Sequence, residues 1–423
     1  MANKTEVLVI GGGAIGLCTA YYLQRAGRQV TLIDKGPIGG ACSAGNAGLL
    51  VPSHFVPLAS PGIVAQGLKW MFSRKSPFYI KPRFSLSLLS WLHQFRAHCN
   101  EANVRKGIPV LHQLITESMN LFGELEHEEG VQLERKGMLM LFHSLKGEQG
   151  CLALAERARR VGLPMAELDR TALLELEPNV RTAADGAVYF KDDAHLDPVA
   201  FMCQIEKQLR GAGASVLGGT EALMMERKGD RISRVATSAG DFEADEVVLA
   251  GGAWSPPMVR DLGLNMPVQA GKGYSLTLGG SPQAPTIPMI LSEEKVTVTP
   301  LGDSLRFAGT LELAGLDDRV NRNRADAILS IIPEYIPGFD ASTVASHAIW
   351  SGFRPCTPDG LPLIGRPRGF SNFTIAAGHA MIGITLAPVT GRMVADLLDG
   401  TTHEAMPALS PNRWAAKESR RAG

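Results

Sequence analysis

The sequence predicts a mixed α/β and α+β fold, in which a parallel α/β unit is interleaved with a unit built on a mainly antiparallel sheet. Within the first 34 residues a buried strand, a glycine-rich turn, a helix and a second strand follow one another, which is the order of a βαβ unit. The chain from 266 to 349 is richer in Thr, Ser and Pro, and its alternating runs at 295–299 and 304–308 are typical of antiparallel strands. From residue 347 the chain returns to glycine-rich turns and a helix.

The α/β unit begins with three elements in regular order. Residues 6–10 predict its first strand, residues 14–26 its helix and residues 29–33 its second strand. Gly27 directly follows the predicted helix, and glycine is a common helix stop. The turn between strand and helix then lies at the carboxyl end of the strand, where ligands bind in parallel sheets.

That turn fits the pattern G-x-G-x-x-G at Gly11, Gly13 and Gly16. Gly11 permits the tight turn, Gly13 lets the backbone approach a pyrophosphate, and Gly16 lets the helix pack close to the strand. The first helical residues, Ala14 and Ile15, bring free N–H groups and positive potential to the phosphates. The turn is therefore suited to a dinucleotide.

An acidic residue completes the motif. Asp34 closes the second strand, with Lys35 after it, and lies where a carboxylate accepts hydrogen bonds from the ribose of a dinucleotide. An ordinary βαβ unit with a glycine-rich turn would leave both the acid and the glycines unexplained. One such fingerprint occurs in the chain, whereas enzymes that carry a nicotinamide cofactor together with a flavin usually need two.

Composition narrows the class of protein. The chain has 423 residues, 45% hydrophobic and 20% charged, with a formal net charge of zero, so no global charge favours a nucleic-acid partner. Six scattered cysteines without a C-x-x-C pair indicate a reducing compartment and argue against a disulfide framework or a metal site. The apolar run from Val7 to Ile10 leads directly into the glycine turn, so we expect a core strand rather than a signal peptide, and a cytoplasmic protein.

Several further elements follow from local patterns. Residues 136–142 and 187–190 predict strands of the antiparallel sheet, and Asp197 with Pro198 predicts the start of a helix that runs to about Leu209. A buried strand before Gly251 and Gly252 ends in two glycines, followed by Trp254. Glycines at the end of a strand let the backbone approach a ligand.

The apolar stretch Ile375 to Leu398 resembles a membrane span but contains glycines and the charged residues Arg392 and Asp396. A lipid-facing helix would not carry these residues. We therefore predict a buried helix that begins near Gly383.

No acidic residue occurs between Asp34 and Glu101, an interval that contains seven Lys or Arg and eight aromatic residues. Apolar side chains at 84, 88, 91, 92 and 95 share one face of a predicted helix. Basic residues beside Trp and Phe suit an interfacial helix on anionic lipid. A helix that packs within a substrate domain, with solvated lysines around it, explains the pattern equally well.

Separated motifs then point to a family. They occur in this order: Ser43–Gly48 (SAGNAG), Gly271–Leu276 (GKGYSL), Trp350–Gly360 (WSGFRPCTPDG) and Gly378-His379 with Gly383. With the N-terminal fingerprint they cover essentially the whole chain, and they resemble the D-amino-acid dehydrogenase branch of the D-amino-acid oxidase-like flavoproteins. The resemblance implies a glutathione-reductase-like, FAD-binding Rossmann domain interleaved with a substrate domain.

The resemblance also divides the chain. It implies a discontinuous FAD-binding domain formed by residues 1–52, 196–264 and 347–423, and a substrate-binding domain formed by residues 53–195 and 265–346. It implies noncovalent FAD as the cofactor. Fingerprint and resemblance together predict these FAD contacts: Gly11, Gly13, Ala14, Ile15, Gly16, Asp34, Lys35, Ser43, Asn46, Ala47, Gly48, Leu49, Ala222, Gly251, Gly252, Trp254, Gly378, Gly383 and Ile384.

Arg354 is the principal candidate for substrate binding. It precedes the turn signal Pro-Asp-Gly at 358–360, so we expect it near the start of a loop after a short strand. A guanidinium group there offers a two-pronged donor to a carboxylate. The resemblance assigns Arg354 to the carboxylate of the substrate.

Other site candidates each have a structural alternative. Tyr274 is a candidate hydrogen-bond donor to the substrate carboxylate, or a buried core tyrosine. His379 is a candidate catalytic base, or a wall of the cofactor site. Leu49 is expected to face the substrate, and Ser53 and His54 are candidate pocket walls.

Two departures from related enzymes limit what can be transferred. The glycine-oxidase relatives carry a tyrosine on a strand that corresponds here to Lys295–Thr299, which has none, so specificity for a small substrate does not follow. The sarcosine-oxidase relatives tether the flavin through a cysteine, where this chain has Gly352, and Cys356 is displaced by four residues. Covalent flavin is therefore not expected.

The resulting functional prediction is oxidation of the Cα–N bond of D-amino acids by hydride transfer from Cα to the flavin, followed by hydrolysis of the imine to a 2-oxo acid and ammonia. A dehydrogenase of a cyclic imino acid, D-proline or hydroxy-D-proline, is the alternative within the family. A flavin-binding redox protein without turnover and a nicotinamide-dependent dehydrogenase are rivals from other classes. A quinone is the predicted electron acceptor, with peripheral contact to the inner face of the membrane.

Overall fold

A computed structural model describes residues 2–71, 76–280, 284–339 and 349–414. The predicted domain boundary at 346/347 and, within the acid-free interval, Phe72 lie outside these ranges. The strands are β1 Asn3–Ile10, β2 Val30–Ile33, β3 Leu49–Leu50, β4 Phe78–Ile80, β5 Met138–Phe142, β6 Met165–Asp169, β7 Gly186–Phe190, β8 Ala194–His195, β9 Ser215–Leu217, β10 Ala222–Lys228, β11 Arg231–Thr237, β12 Gly240–Leu249, β13 Gln269–Gly279, β14 Met289–Leu291, β15 Val296–Leu301, β16 Ser304–Leu313, β17 Ile349–Cys356, β18 Leu363–Gly365 and β19 Phe373–Ala377.

Short 3₁₀ turns cover Pro52–His54, Gly252–Trp254 and Arg260–Leu262. The α-helices are α1 Ala14–Arg25, α2 Ile63–Trp70, α3 Leu86–His98, α4 Glu101–Glu129, α5 Leu145–Arg160, α6 Arg170–Leu176, α7 Pro198–Gly211, α8 Ser255–Val259, α9 Arg322–Tyr335, α10 Ala387–Leu398 and α11 Met406–Leu409.

One sheet has eight strands and a parallel centre. Its main order is β10-β11-β12-β1-β2-β9, and β19 joins β12 while β18 joins β19. The strands β12, β1, β2 and β9 run parallel, with Val9 opposite Val248 on one side and Leu32 on the other. Helices α1 and α10 pack closely at Gly391. A Cβ atom at this position would lie only 2.4 Å from the main-chain oxygen of Cys18, so a larger residue does not fit there.

The second sheet has nine strands and is mainly antiparallel. Its order is β17-β13-β16-β15-β14-β5-β7-β6, with β4 added to β16. Parallel pairs occur where β14 meets β5 and where β4 meets β16. Helix α9 packs its buried residues Ile328 and Ile332 into the core of this sheet. The short pair β3 and β8 links the chain around Leu49 to His195.

The structure confirms much of the predicted order and corrects two points. Helix α7 begins at Pro198, with the Asp197 side chain accepting hydrogen bonds at its N-terminus, as predicted. The last long helix begins at Ala387 rather than near Gly383, because residues 383–386 form turns and β19 takes the start of the apolar run.

The second correction concerns β17. Residues 347–423 were assigned to the FAD-binding domain, yet β17 pairs with β13 in the nine-stranded sheet. The eight-stranded sheet resumes only with β18 and β19. The division into two domains remains a proposal, with its last boundary moved beyond Cys356.

Candidate active site

The glycine turn brings the main chain close to itself and to a neighbouring strand. A Cβ atom at Gly11, whose φ is +113°, would lie 2.5 Å from the main-chain oxygen of Ala250. A Cβ at Gly16 would lie 1.7 Å from the oxygen of Gly11. Larger residues would therefore push α1 away from β1, and the N-terminus of α1 would no longer face the cavity beside it.

The Asp34 carboxylate is held by main-chain donors. Oδ2 accepts a hydrogen bond from the N–H of Gly12 at 2.7 Å, and Oδ1 accepts one from Gly36 at 2.8 Å. Asp34 also lines the cavity. The carboxylate is thus oriented at the position expected for a ribose contact.

The loop that follows β2 is fastened over the N-terminus of α1. Ser43 Oγ accepts from the N–H of Ala14 at 3.1 Å. Arg306 Nη1 donates to the main-chain oxygens of Ala44, at 3.0 Å, and Asn46, at 2.7 Å. A half-buried guanidinium group on β16 therefore fixes a loop of the α/β unit.

These elements surround one cavity of about 730 Å³ that extends from the glycine turn to the antiparallel sheet. Most of the predicted site residues line it. These are Gly11, Gly13, Ala14, Ile15, Asp34, Ser43, Asn46, Ala47, Leu49, His54, Gly251, Gly252, Trp254, Tyr274, Arg354, His379, Gly383 and Ile384.

Five predicted cofactor residues do not line the cavity. Gly16 and Gly48 permit close backbone packing, since a Cβ at Gly48 would lie 2.2 Å from the oxygen of Leu196. A Cβ at Gly378 would lie 2.7 Å from the Thr357 side chain. The two others are Lys35, whose Nζ lies 4.3 Å from the centre of the Trp254 ring, and Ala222, the first residue of β10.

Arg354 lies within β17, two residues before its end, rather than in the loop that follows. Its Nη1 donates to the main-chain oxygen of Thr310 at 2.6 Å. Gly273 on β13 leaves room for the guanidinium, because a Cβ there would lie 2.1 Å from Nη1. Burial lowers the pKa of Arg354. Among the described residues no carboxylate lies within ion-pair distance of it.

The hydroxyl of Tyr274 is committed elsewhere. It donates to Glu312 Oε2 at 2.8 Å and accepts from the N–H of Asn321 at 3.2 Å. The residue is 1% exposed, and burial raises its pKa. The structure thus favours the core alternative and leaves this hydroxyl without a proton for a substrate carboxylate.

The ring of His379 is buried and tied to a helix. Its Nε2 lies 2.9 Å from Thr390 Oγ1 of α10, and burial lowers its pKa to about 3. Such an imidazole is neutral at physiological pH. This arrangement favours the role of a cavity wall over that of a base.

The two remaining wall candidates differ. His54 lines the cavity. Ser53 is 1% exposed, and its Oγ donates to Asp193 Oδ2 at 2.5 Å. Ser53 is therefore a partner of Asp193 and not a surface of the pocket.

Residues that the sequence did not reveal complete the cavity. Three non-glycine residues have a positive φ in the part of the chain that the structure describes, and all of them line the cavity: Lys295 (57°), Thr310 (64°) and Ala380 (46°). Left-handed backbone of this kind is costly and concentrates at functional sites. The Trp350 indole also lines the cavity, and a Cβ at Gly45 or at Gly352 would lie about 2 Å from it.

The described residues fit FAD. The N-terminus of α1, the Asp34 carboxylate and the loop at 43–49 line one cavity. The Cys356 thiol is 1% exposed and burial raises its pKa to about 12, so it is not a thiolate ready to bond to a flavin. A noncovalently held dinucleotide is consistent with all of these groups.

Comparisons with known proteins agree with this geometry. The family model described as FAD dependent oxidoreductase matches residues 6–397. This chain belongs to the FAD dependent oxidoreductase family. FAD is its cofactor. The fingerprint glycines, Asp34 and the loop at 43–49 stay the predicted contacts of this cofactor.

Relatives within this family are similar over nearly the whole chain. A protein of Methylobacterium radiotolerans named D-amino acid dehydrogenase is 33% identical over 421 residues, which cover 97% of this chain and 100% of the relative. A protein of Methylobacterium nodulans with the same name is 34% identical over 409 residues, 94% of this chain and 96% of the relative.

Solved structures share the fold. Glycine oxidase from Geobacillus kaustophilus superposes with a TM-score of 0.76 at 24% identity, covering 97% of this chain and 98% of that chain. L-Proline dehydrogenase from P. horikoshii superposes with a TM-score of 0.75 at 19% identity, covering 99% of both chains. At these identities the likeness establishes the fold of the oxidoreductase and not its substrate.

Proposed function

We propose that this oxidoreductase converts D-amino acids to 2-oxo acids and ammonia by removing a hydride from the substrate Cα. The observation that carries the proposal is the Arg354 guanidinium, which lines the FAD cavity and has no carboxylate partner among the described residues. The Arg354 side chain is half-buried. Desolvation of a guanidinium without a counter-ion is costly, and a substrate carboxylate would supply one. The D configuration is supported by the relatives named D-amino acid dehydrogenase.

The chain's own residues would bind and orient the substrate. Arg354, held at Nη1 by the oxygen of Thr310, offers its remaining N–H groups to the carboxylate. Leu49 is 9% exposed and lines the cavity beside the loop at 43–48, where it limits the space for the substrate. Apolar side chains of α2 and α3, among them Leu68 and Trp91, line the same cavity and would exclude water.

FAD, once bound, supplies the two-electron acceptor for the hydride. The protein's part is to hold the Cα–H bond and the carboxylate in one geometry and to stabilise developing charge. Positioning of this kind accounts for much of the catalytic power of cofactor enzymes.

The test is a panel of D- and L-amino acids and cyclic imino acids, offered to the purified holoenzyme with an artificial dye as acceptor. We expect dye reduction with D-amino acids, formation of the 2-oxo acid, and anaerobic bleaching of the FAD absorbance. Oxidation confined to D-proline or hydroxy-D-proline would reassign the substrate class to cyclic imino acids. No bleaching by any member would reject turnover of amino acids.

We further propose that a quinone at a membrane surface accepts the electrons. Supporting observations are an exposed apolar patch formed by Phe84 (90% exposed), Leu86 (71%) and Leu89 (55%) at the start of α3, and the absence of acidic residues between Asp34 and Glu101. Helix α3 turns its buried residues, Leu88 and Trp91, towards the core. No helix among the described residues is long and apolar enough to cross a bilayer, so any contact would be peripheral.

A further inference from the structure

Asp193 is a buried carboxylate between β7 and β8 that makes both its described hydrogen bonds with one residue. Its Oδ1 accepts from the main-chain N–H of Ser53 at 3.0 Å, and its Oδ2 accepts from Ser53 Oγ at 2.5 Å. Asp193 is 2% exposed. Among the described residues no Lys, Arg or His lies within ion-pair distance of it. A buried carboxylate with no cation near it requires an explanation.

Ser53 connects this acid to the cavity. Its Oγ lies 3.1 Å from Nδ1 of His54, and His54 lines the cavity. A hydroxyl has one proton, so when Ser53 donates to Asp193 its oxygen accepts from Nδ1–H of His54. The imidazole then presents Nε2 as an unprotonated acceptor, and no described residue donates a hydrogen bond to that atom.

We propose that Asp193, Ser53 and His54 form a relay that takes the proton from the ammonium group of the bound substrate. This inference rests on the proposed oxidation of an amino acid, which needs the amine lone pair free before hydride can leave Cα. His54 is the residue that touches the substrate, and Asp193 is a positioning residue and proton store that acts through Ser53.

The step balances without any redox change. The substrate N–H bond breaks and its proton bonds to Nε2 of His54. The Nδ1–H proton of His54 passes to Ser53 Oγ, whose own proton passes to Oδ2 of Asp193. The ammonium becomes a neutral amine, the carboxylate becomes a carboxylic acid, and His54 changes only its tautomer. Two charged groups thus become neutral, which favours the transfer in a desolvated site.

The electrostatic surroundings support a store at Asp193 rather than at the imidazole. Burial raises the pKa of Asp193 to about 7, against the lowering effect of its two bonds from Ser53, and the charge of Asp192 adds to the rise. Desolvation, followed by the positive charge of Lys295, lowers the pKa of His54 to about 4. A lasting imidazolium is therefore unfavourable. The other titratable side chains that line the cavity are Asp34, Cys42, Arg96, Tyr274, Arg354, Cys356 and His379.

The experiment measures kcat/KM against pH for the holoenzyme with a D-amino acid that the panel identifies. When Asp193 is already protonated, the relay cannot accept a proton from the substrate. Wild-type kcat/KM should therefore fall about tenfold per pH unit below about pH 7. In Asp193→Asn the side-chain amide donates to Ser53, Ser53 donates to Nδ1, and Nε2 carries a proton. We expect kcat/KM at neutral pH to fall about 10²–10⁴-fold.

The variant should recover at high pH, which separates a relay from a structural role. Above the pKa of the free substrate's ammonium group, the substrate arrives as the neutral amine and needs no acceptor, so Asp193→Asn should approach wild type there. Ser53→Ala should show the same loss at neutral pH and the same recovery at high pH. It removes the hydrogen-bonded link between His54 and Asp193 while both of these residues remain. Asp192→Asn is the matched control, since this neighbouring carboxylate is exposed. It should keep the wild-type rate at neutral pH, and its acidic limb should remain but move to lower pH, because the charge of Asp192 contributes to the raised pKa of Asp193.

FAD content and visible spectrum of each purified variant are the second readout. Variants with full FAD and recovery at alkaline pH support the relay. The relay is overturned if Asp193→Asn or Ser53→Ala keeps the acidic limb at a wild-type rate, or if either of these two variants binds full FAD and stays inactive at every pH. If Asp193→Asn does not fold, Ser53→Ala decides by the same criteria. Failure of the wild-type enzyme to oxidise any amino acid overturns the proposed function itself.

Discussion

Nη1 of Arg354 donates to the main-chain oxygen of Thr310. Thr310 lies on β16, lines the same cavity and has a φ of 64°. Strand β17 thus presents a guanidinium that is aimed by the left-handed backbone of β16, with β13 lying between the two strands. The orientation of the arginine depends on the main chain and not on a salt bridge. Its remaining donors stay available to a carboxylate.

Arg354→Lys should impair the enzyme severely although the charge is retained. Lysine is a point charge and cannot donate to Thr310 and to both carboxylate oxygens in the planar geometry of a guanidinium. Loss of such a buried contact costs roughly 2–5 kcal/mol, which corresponds to a decrease in kcat/KM of between about 30-fold and several thousand-fold. Steady-state kinetics measure this, and near-native efficiency of both Arg354→Lys and Arg354→Ala would reject the carboxylate role.

Gly273→Ala should displace the same guanidinium from the opposite strand. The added Cβ would lie 2.1 Å from Nη1 of Arg354, so the side chain must move and KM should rise while FAD content stays unchanged. Gly279→Ala is the matched control on β13, because no atom lies within 4 Å of a Cβ at that position. Equal KM values for the two variants would show that the room left by Gly273 does not matter.

Asp34→Ala should weaken FAD binding. The carboxylate would be lost from the cavity wall, together with its bonds from Gly12 and Gly36, and hydrogen bonds to a charged group contribute about 1.5–3 kcal/mol each. We expect a dissociation constant for FAD at least about tenfold higher, measured by titrating the apoprotein with FAD. A colourless protein that binds NAD instead would contradict the cofactor assignment.

Oxygen should be a poor electron acceptor and a quinone or dye a good one. We expect little hydrogen peroxide per turnover, and binding to anionic liposomes that weakens as salt is raised, because charges near the surface are screened over about 8–10 Å. Phe84→Ser with Leu86→Ser should reduce liposome binding, since both side chains are exposed and contribute no core packing. Stoichiometric peroxide without liposome binding would assign oxygen as the acceptor.

The sequence alone predicts elements and site residues correctly where a local pattern and a chemical requirement demand the same residue type. The glycines at 11, 13 and 16 with Asp34 predicted the dinucleotide site, because tight turns, close approach and ribose contacts each demand a particular residue type. The alternating runs at 295–299 and 304–308 predicted β15 and β16, because successive side chains of a strand point to opposite faces of its sheet. Arg354 was found through its motif, although its place within a strand was not.

The missed residues depend on backbone conformation and on distant neighbours. Lys295 is the first residue of the alternating run predicted at 295–299, and that pattern does not reveal the φ of 57° with which the residue lines the cavity. Asp193 belongs to no motif, and its partner Ser53, which was predicted only as a pocket wall, lies 140 residues away along the chain. Tyr274 lies in a family motif, but its partner Glu312 could be found only from the pairing of β13 with β16.

The pairing of β1 with β12 has a consequence for the synthesis of the protein. Asn3 pairs with Phe242, and at typical translation rates the ribosome needs roughly 10 to 50 s to add the stretch between them. Throughout that interval the emerging apolar strand has no neighbour on that side, which exposes the nascent chain to aggregation and makes it a client for chaperones. The cavity also uses residues up to Ile384. Capture of FAD is therefore one of the last events in the biogenesis of this protein.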